Sequence, residues 1–157
     1  MYKRQIIDSD ITESKRQQKI IEQKNKDITD SIEYARKIQT AILPSRSKIQ
    51  KQLPHSFVFY KTKDIVSGDF YWFTEKEGCC IIAAVDCTGH GVPGAFLSIV
   101  ASDFLKQSLK EKSVNTVAEA LDYLNQKIIA TLNQTSNSEL RVRDGMDIAL
   151  IAIDYKK

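Results

Sequence analysis

From Thr12 to Leu43 the chain contains no glycine or proline and is built mainly of Lys, Gln, Glu, Asp, Ile and Ala. Ile21, Ile28, Ala35 and Ile42 recur every seventh residue, with Ile38 at a d-type position and Ile32 beside the seam. That period predicts a helix carrying a heptad stripe. The stripe is well formed from Ile28 onward and weaker before it, where Gln17 and Lys24 occupy d positions. Pro44 ends the run, because proline disfavours helical backbone in the residue before it. A helix cannot bury its own stripe, so this one pairs with a second copy, packs on the following residues, or does both. Residues 1–44 are therefore read as an N-terminal linker or coiled-coil helix, and residues 45–157 as a separate unit.

The texture changes after Pro44. A polar stretch, Ser45 to Gln52, leads into residues of strand character. Phe57 to Tyr60 is aromatic and β-branched, and Phe70-Tyr71-Trp72-Phe73 suits a strand buried on at least one face. Cys79 to Val85 is a continuous apolar run of strand length, which predicts a central strand covered on both faces. Gly78 between the last two fits an antiparallel hairpin. Two helices are expected next. One spans about Val92 to Lys112, with Phe96, Ile99, Val100, Phe104, Leu105 and Leu109 inward; the other spans Thr116 to Asn133, with Ala120, Leu121, Leu124, Ile128 and Leu132 inward. Thr135 to Glu139 reads as a polar loop, and Ile148 to Ile153 as a last buried strand. Long helix, three strands, two helices and a strand make an α+β arrangement, with helices packed on a largely antiparallel sheet.

Composition narrows the function classes. The 157 residues are 42% apolar and 27% charged, ordinary values for a globular domain. The 23 basic and 20 acidic residues are scattered, so no basic stripe argues for nucleic acid. No apolar run reaches the roughly 20 residues of a membrane span, and the polar N-terminus lacks a signal-peptide core. Cytoplasm is the expected compartment. The three cysteines, Cys79, Cys80 and Cys87, contain no C-x-x-C pair. Neighbours on a strand point to opposite faces, so reduced, structural thiols are expected.

The segment Ile81 to Ser98, IIAAVDCTGHGVPGAFLS, is richest in chemistry. An apolar strand delivers Asp86 at its end, followed by a loop with Gly89, Gly91 and Gly94 and then a helix. Such a carboxylate is well placed to hold a hard cation, and the loop to approach a phosphate closely. A Walker-type loop would need Gly-Lys-Ser/Thr, which is absent. A haloacid-dehalogenase-like site would need a second Asp where Thr88 stands. Metal-assisted phosphate chemistry, with carboxylates converging from different strands, gains support from Ile65-Val66-Ser67-Gly68-Asp69-Phe70-Tyr71. If the hairpin closes near Gly78, Asp69 and Asp86 lie at matching distances from the turn, at one end of the pair. Turn and loop capping are the competing roles for these two acids. His90, in the Gly-rich loop, is read first as structuring that loop and alternatively as a catalytic general acid, and His55 as a surface residue. Asp144 and Asp147 flank Gly145-Met146, where a turn feeding the strand is the plain expectation and a metal-facing Asp147 the sharper one.

VSGDFYWF followed after a hairpin by AAVDCTGHGVPGAFLS resembles the first two motifs of the PPM-type protein phosphatases. It is similar in particular to the branch typified by the sporulation phosphatase SpoIIE and the stress-response phosphatase RsbU. IEYARKIQTAILP resembles the linker helix before that domain, and DGMDIALIAID a core strand found in part of the branch. The resemblance implies an α/β sandwich around two Mn²⁺ or Mg²⁺ ions. It also implies Asp69 and Asp86 as ligands, with a backbone carbonyl from Cys87, where the family often has Gly. The loop Gly89-His90-Gly91 would lie near the phosphate. Hydrolysis of phosphoserine or phosphothreonine by metal-activated water, without a covalent phospho-enzyme, follows from the same resemblance. The expected partner is a phosphorylated regulatory protein of the anti-sigma-factor-antagonist type, with homodimerisation through the N-terminal helix.

The family domain also carries further strands with a T-D-G-like motif and a late acidic pair, which have no counterpart before Lys157. Residues 45–157 are thus expected to be the N-terminal portion of such a domain, an incomplete sandwich with buried faces exposed and a tendency to associate. An inactive phosphatase-like fragment that dimerises or binds a partner is the alternative function.

Overall fold

The computed structural model describes residues 2–132 and 144–154, with side chains from residue 11 onward. Helix α1 spans Tyr2–Ile42, a short α2 Arg46–Gln52, and the hairpin strands are β1, Phe70–Lys76, and β2, Cys79–Cys87. Helices α3, Gly91–Ser108, and α4, Val117–Thr131, precede β3, Met146–Asp154. The strands form an antiparallel sheet in the order β1-β2-β3. The α+β class expected from the pattern is what the chain adopts.

The hairpin is set by its turn. Glu77 and Gly78 both have positive φ, 54° and 86°, the geometry of a two-residue loop whose twist matches the strands. It fixes the register Phe70↔Val85 through Lys76↔Cys79. One face of the sheet packs on α3 and α4. Phe70, Trp72, Ile81, Ala83 and Val85 meet Leu97, Ala101, Leu105, Leu124 and Ile128 in a single core, each large side chain there contributing about 1.5–3 kcal/mol. Helix α4 starts with a reciprocal cap: Thr116 Oγ1 accepts from Glu119 N, and the Glu119 carboxylate accepts from Thr116 N.

Several expectations needed correction. Ser45 to Gln52 is mostly helix, because Ser45 caps it by accepting from Lys48 N, and Ile49 is buried under it. Phe57 to Tyr60 joins no ladder among the described residues, and Phe57 and Phe59 are 86% and 84% exposed. Only the first half of β2 is covered on both faces; beyond Ala83 the burial alternates, leaving Ala84 and Asp86 exposed. On α3 and its C-cap, Leu105 is buried and Val100, Phe104 and Leu109 pack against the core as expected, but Gly94, Ala95, Leu97, Ser98, Ala101, Ser102 and Ser108 are buried beside them and Phe96 is 67% exposed. Its small residues let this helix sit close to the sheet and to α1, a contact that the large side chains alone do not signal. The loop Thr135 to Glu139 lies outside the described residues.

The second face of the sheet is covered at one end only. There α2 brings Ile49 onto Phe73 and Cys80. The cover stops short of β3, where Ile153 beside Cys80 and Ile151 beside Ile82 are exposed, so Ile148 to Ile153 is a strand as expected but not a buried one. Along α1, Ile21, Ile28 and Ile38 are exposed, while Gln39 is buried against the following residues. Among the described residues, no helix is long and apolar enough to cross a membrane.

Candidate metal centre

Strand register assembles the acidic residues. Phe70 pairs with Val85, so Asp69, one step before β1, lies opposite Asp86. Asp86 in turn pairs directly with Asp147 of β3. The three carboxylates form a row across the sheet on its open face, with neighbouring backbones about 5 Å apart, as direct antiparallel partners are. Asp69, Asp86 and Asp147 line one cavity, together with Phe59, Lys61 and Tyr71. The Asp69 carboxyl is held above its ordinary 3.8, first by loss of water and then by a hydrogen bond with Asp86 and that residue's charge. Two acids of one sign are thus pressed together at the strand ends.

The backbone around them is tightly packed. A Cβ on Gly68 would meet Gly89 O at 2.8 Å and Cys87 O at 3.0 Å. One on Gly94 would meet Gly89 O at 2.6 Å and Gly68 Cα at 2.9 Å. The loop before β1, the loop after β2 and the start of α3 therefore touch backbone to backbone, which only glycine permits. The Cys87 carbonyl faces Gly68, and among described non-glycine residues only Glu77 has positive φ, so Cys is compatible with this position. Its thiol points the other way, into the helix-side core, where burial, then Asp69 and Asp86, push its pKa up to about 12. A thiol so held stays protonated and structural.

His90 stands at the N-cap of α3 without capping it. Its Nδ1 lies 2.7 Å from Asp64 Oδ2 in an exposed pair. Gly89 and Gly91 on either side have positive φ, 84° and 64°. His90 thus ties its loop to the Asp64 segment. Thr88 and Gly145 exchange two hydrogen bonds, Thr88 N to Gly145 O at 2.9 Å and Gly145 N to Thr88 Oγ1 at 3.1 Å. This pair of hydrogen bonds pins the start of β3 and brings Asp147 alongside Asp86. Asp144 and Gly145 do feed the strand, but as a strapped connection.

Sequence reasoning missed Asp64, Tyr60 and Gln39. Tyr60 Oη donates to the Asp69 carbonyl at 3.0 Å, and its own pKa is raised, mainly by burial. Gln39 is buried and bonded to Ser67. Asp64 and Tyr60 carry no sequence signal. Gln39 carries a faint one, as a polar residue flanked by the apolar Ala35, Ile42 and Leu43.

The donor set suits a hard dication in part. Crowded carboxylate oxygens are what Mg²⁺ and Mn²⁺ prefer. Among the described residues, however, no three of His, Cys, Asp and Glu cluster closely enough to hold an ion by themselves. The site is a pair with a third acid one strand away.

A three-stranded antiparallel sheet with two helices on one face and a long N-terminal helix matches part of the fold of a PP2C-type phosphatase domain. The solved SiaA-PP2C domain of Pseudomonas aeruginosa is similar to this chain at 34% identity and TM-score 0.72, over 83% of the chain. That likeness relates the chain to the PPM-type phosphatases. The chain spans 50% of that domain's length. No family model and no curated protein matches the sequence.

Proposed function

We propose that this chain carries the N-terminal portion of a Mn²⁺- or Mg²⁺-dependent phosphoserine/phosphothreonine protein phosphatase of bacterial signalling, in the SpoIIE/RsbU-like branch. The observation that carries this reading is the register that sets Asp69 against Asp86, with Asp147 in line on β3. Asp69, Asp86 and the Cys87 carbonyl would hold the cations, and Asp147 would contribute from the neighbouring strand. When bound, such ions neutralise phosphoryl oxygens and make water a better nucleophile.

The protein's own part is orientation. Tyr60 fixes the Asp69 backbone, and the Gly68-Gly89-Gly94 junction holds the loops at one separation. Lys61 on the cavity wall adds positive charge for an anionic substrate. The substrate proposed is a phosphorylated regulatory protein of the anti-sigma-factor-antagonist type, met in the cytoplasm. The exposed Ile21, Ile28 and Ile38 of α1 support pairing with a second copy.

The test is release of phosphate from a phosphoserine protein with and without Mn²⁺, comparing the chain with Asp69→Asn and Asp86→Asn. Mn²⁺-dependent release that both substitutions reduce by at least about 100-fold, the size of loss seen when charge stabilisation is removed, supports the reading. Release indifferent to both substitutions sinks the metal-site assignment.

A further inference from the structure

Gln39 is the one buried side chain among the described residues of α1, and its bonds point at the acidic site rather than along its own helix. Its Nε2 donates to the Ser67 carbonyl at 2.6 Å and to Ser98 Oγ at 2.8 Å, and its Oε1 accepts from Ser67 N at 3.1 Å. Both backbone groups of Ser67 are therefore satisfied by one amide, as a neighbouring strand would do. Ser67 Oγ then accepts from Asp69 N at 3.1 Å. Two bonds thus separate α1 from the backbone that carries the Asp69 carboxylate. A second route runs in parallel: Tyr71 Oη donates to Pro44 O at 3.2 Å, Tyr71 packs edge-on against Tyr60 at 5.5 Å, and Tyr60 holds the Asp69 carbonyl.

We infer that Gln39 is a positioning residue: it holds the Ser67-Gly68-Asp69 turn against α3, so that the seating of α1 sets where the Asp69 carboxylate stands relative to Asp86. The chemistry calls for this. Ser67 is buried and its turn belongs to no strand, so without Gln39 its N–H and C=O would be unpaired in a dry place. A glutamine fits because one planar amide offers a donor and an acceptor at the spacing of a backbone pair.

The inference rests on the metal-site reading only for its effect on cation affinity, so two measurements are paired. Amide hydrogen exchange of the whole chain, without metal, reads the turn; calorimetric titration with Mn²⁺ reads the site. In Gln39→Leu, exchange at Ser67 and Asp69 should quicken by about tenfold or more, and the Mn²⁺ dissociation constant should rise by a similar factor, the scale of two lost bonds. Ser98→Ala, which leaves both bonds to Ser67, should lower thermal stability while keeping wild-type exchange at Ser67 and wild-type affinity. Gln39→Glu keeps the acceptor and loses the donors, and it decides the matter by the same two readouts if the leucine variant does not fold. Unchanged exchange at Ser67 and Asp69 in a folded Gln39 variant overturns the inference, as does quickened exchange with unchanged affinity. Absence of Mn²⁺ binding by the unaltered chain counts against the metal site instead, and exchange alone then decides the role of Gln39.

Discussion

At Asp69 the fold works against itself. The carboxyl is raised above 3.8 by lost hydration and by Asp86, so the folded chain binds its proton more tightly than the unfolded chain does. This contribution is fully present below the unfolded value and is lost as pH rises through the folded value. In chelator at neutral pH, Asp69→Asn should therefore melt slightly higher than the unaltered chain, and the difference should vanish on acidification. Thermal melts across pH measure this, and a variant less stable at every pH contradicts it. Close packing makes the opposite demand at Gly94. An added methyl would meet two backbones at under 3 Å, while one at Gly145 would meet nothing within 4 Å. Gly94→Ala should cost about 1–3 kcal/mol, as overpacking does, and Gly145→Ala less than about 0.5 kcal/mol, both by urea denaturation. His90 was read as a loop-structuring residue, and its 2.7 Å pair with Asp64 is consistent with that. The partner could not be foreseen because it comes from 26 residues earlier with no pattern to mark it.

Elements were legible to the extent that their signals were local. The hairpin around Gly78 followed from two apolar runs and a turn residue, and its register brought Asp69 and Asp86 to one end as their equal spacing from the turn required. Helix α4 was equally plain, since its apolar spacing and Thr116-x-x-Glu119 box agree. Helix α3 was legible through Val100, Phe104, Leu105 and Leu109, which meet the core, but much of its inner face is written in Gly, Ala and Ser, and Phe96 turns outward. Two substitutions separate the assignments. Leu105→Ala, in a fully enclosed position, should cost about 2–5 kcal/mol, whereas Phe96→Ala, exposed on the opposite side, should stay within about 0.5 kcal/mol. Equal costs in urea denaturation would place Phe96 inward as well. Residues 57–60 show the limit of local reasoning: a strand-like composition makes no strand without a neighbour to pair with.

Across the whole molecule the sheet has one dressed face and one largely bare one. Phe57, Phe59, Ile151 and Ile153 are exposed, and Phe59 shares a cavity with the acidic row. Apolar area of this kind drives self-association in water. Ile151→Lys should shift sedimentation toward the monomer at a fixed concentration, while a change on α1 such as Ile28→Lys reports separately on pairing through that helix. A shift with neither would place the contact elsewhere. The two-residue turn at Glu77-Gly78 has a consequence in time as well as in shape. Hairpins of this kind close in about 1–10 μs, and closing this one brings Asp69 and Asp86 together using neighbouring sequence alone. Asp147 must instead await two helices and a long return of the chain, since the bonds that fasten its strand join residues 57 apart, a slower search by the entropy of loop closure. During folding, the two crowded carboxylates therefore meet first, and the third acid arrives last to a pair already formed.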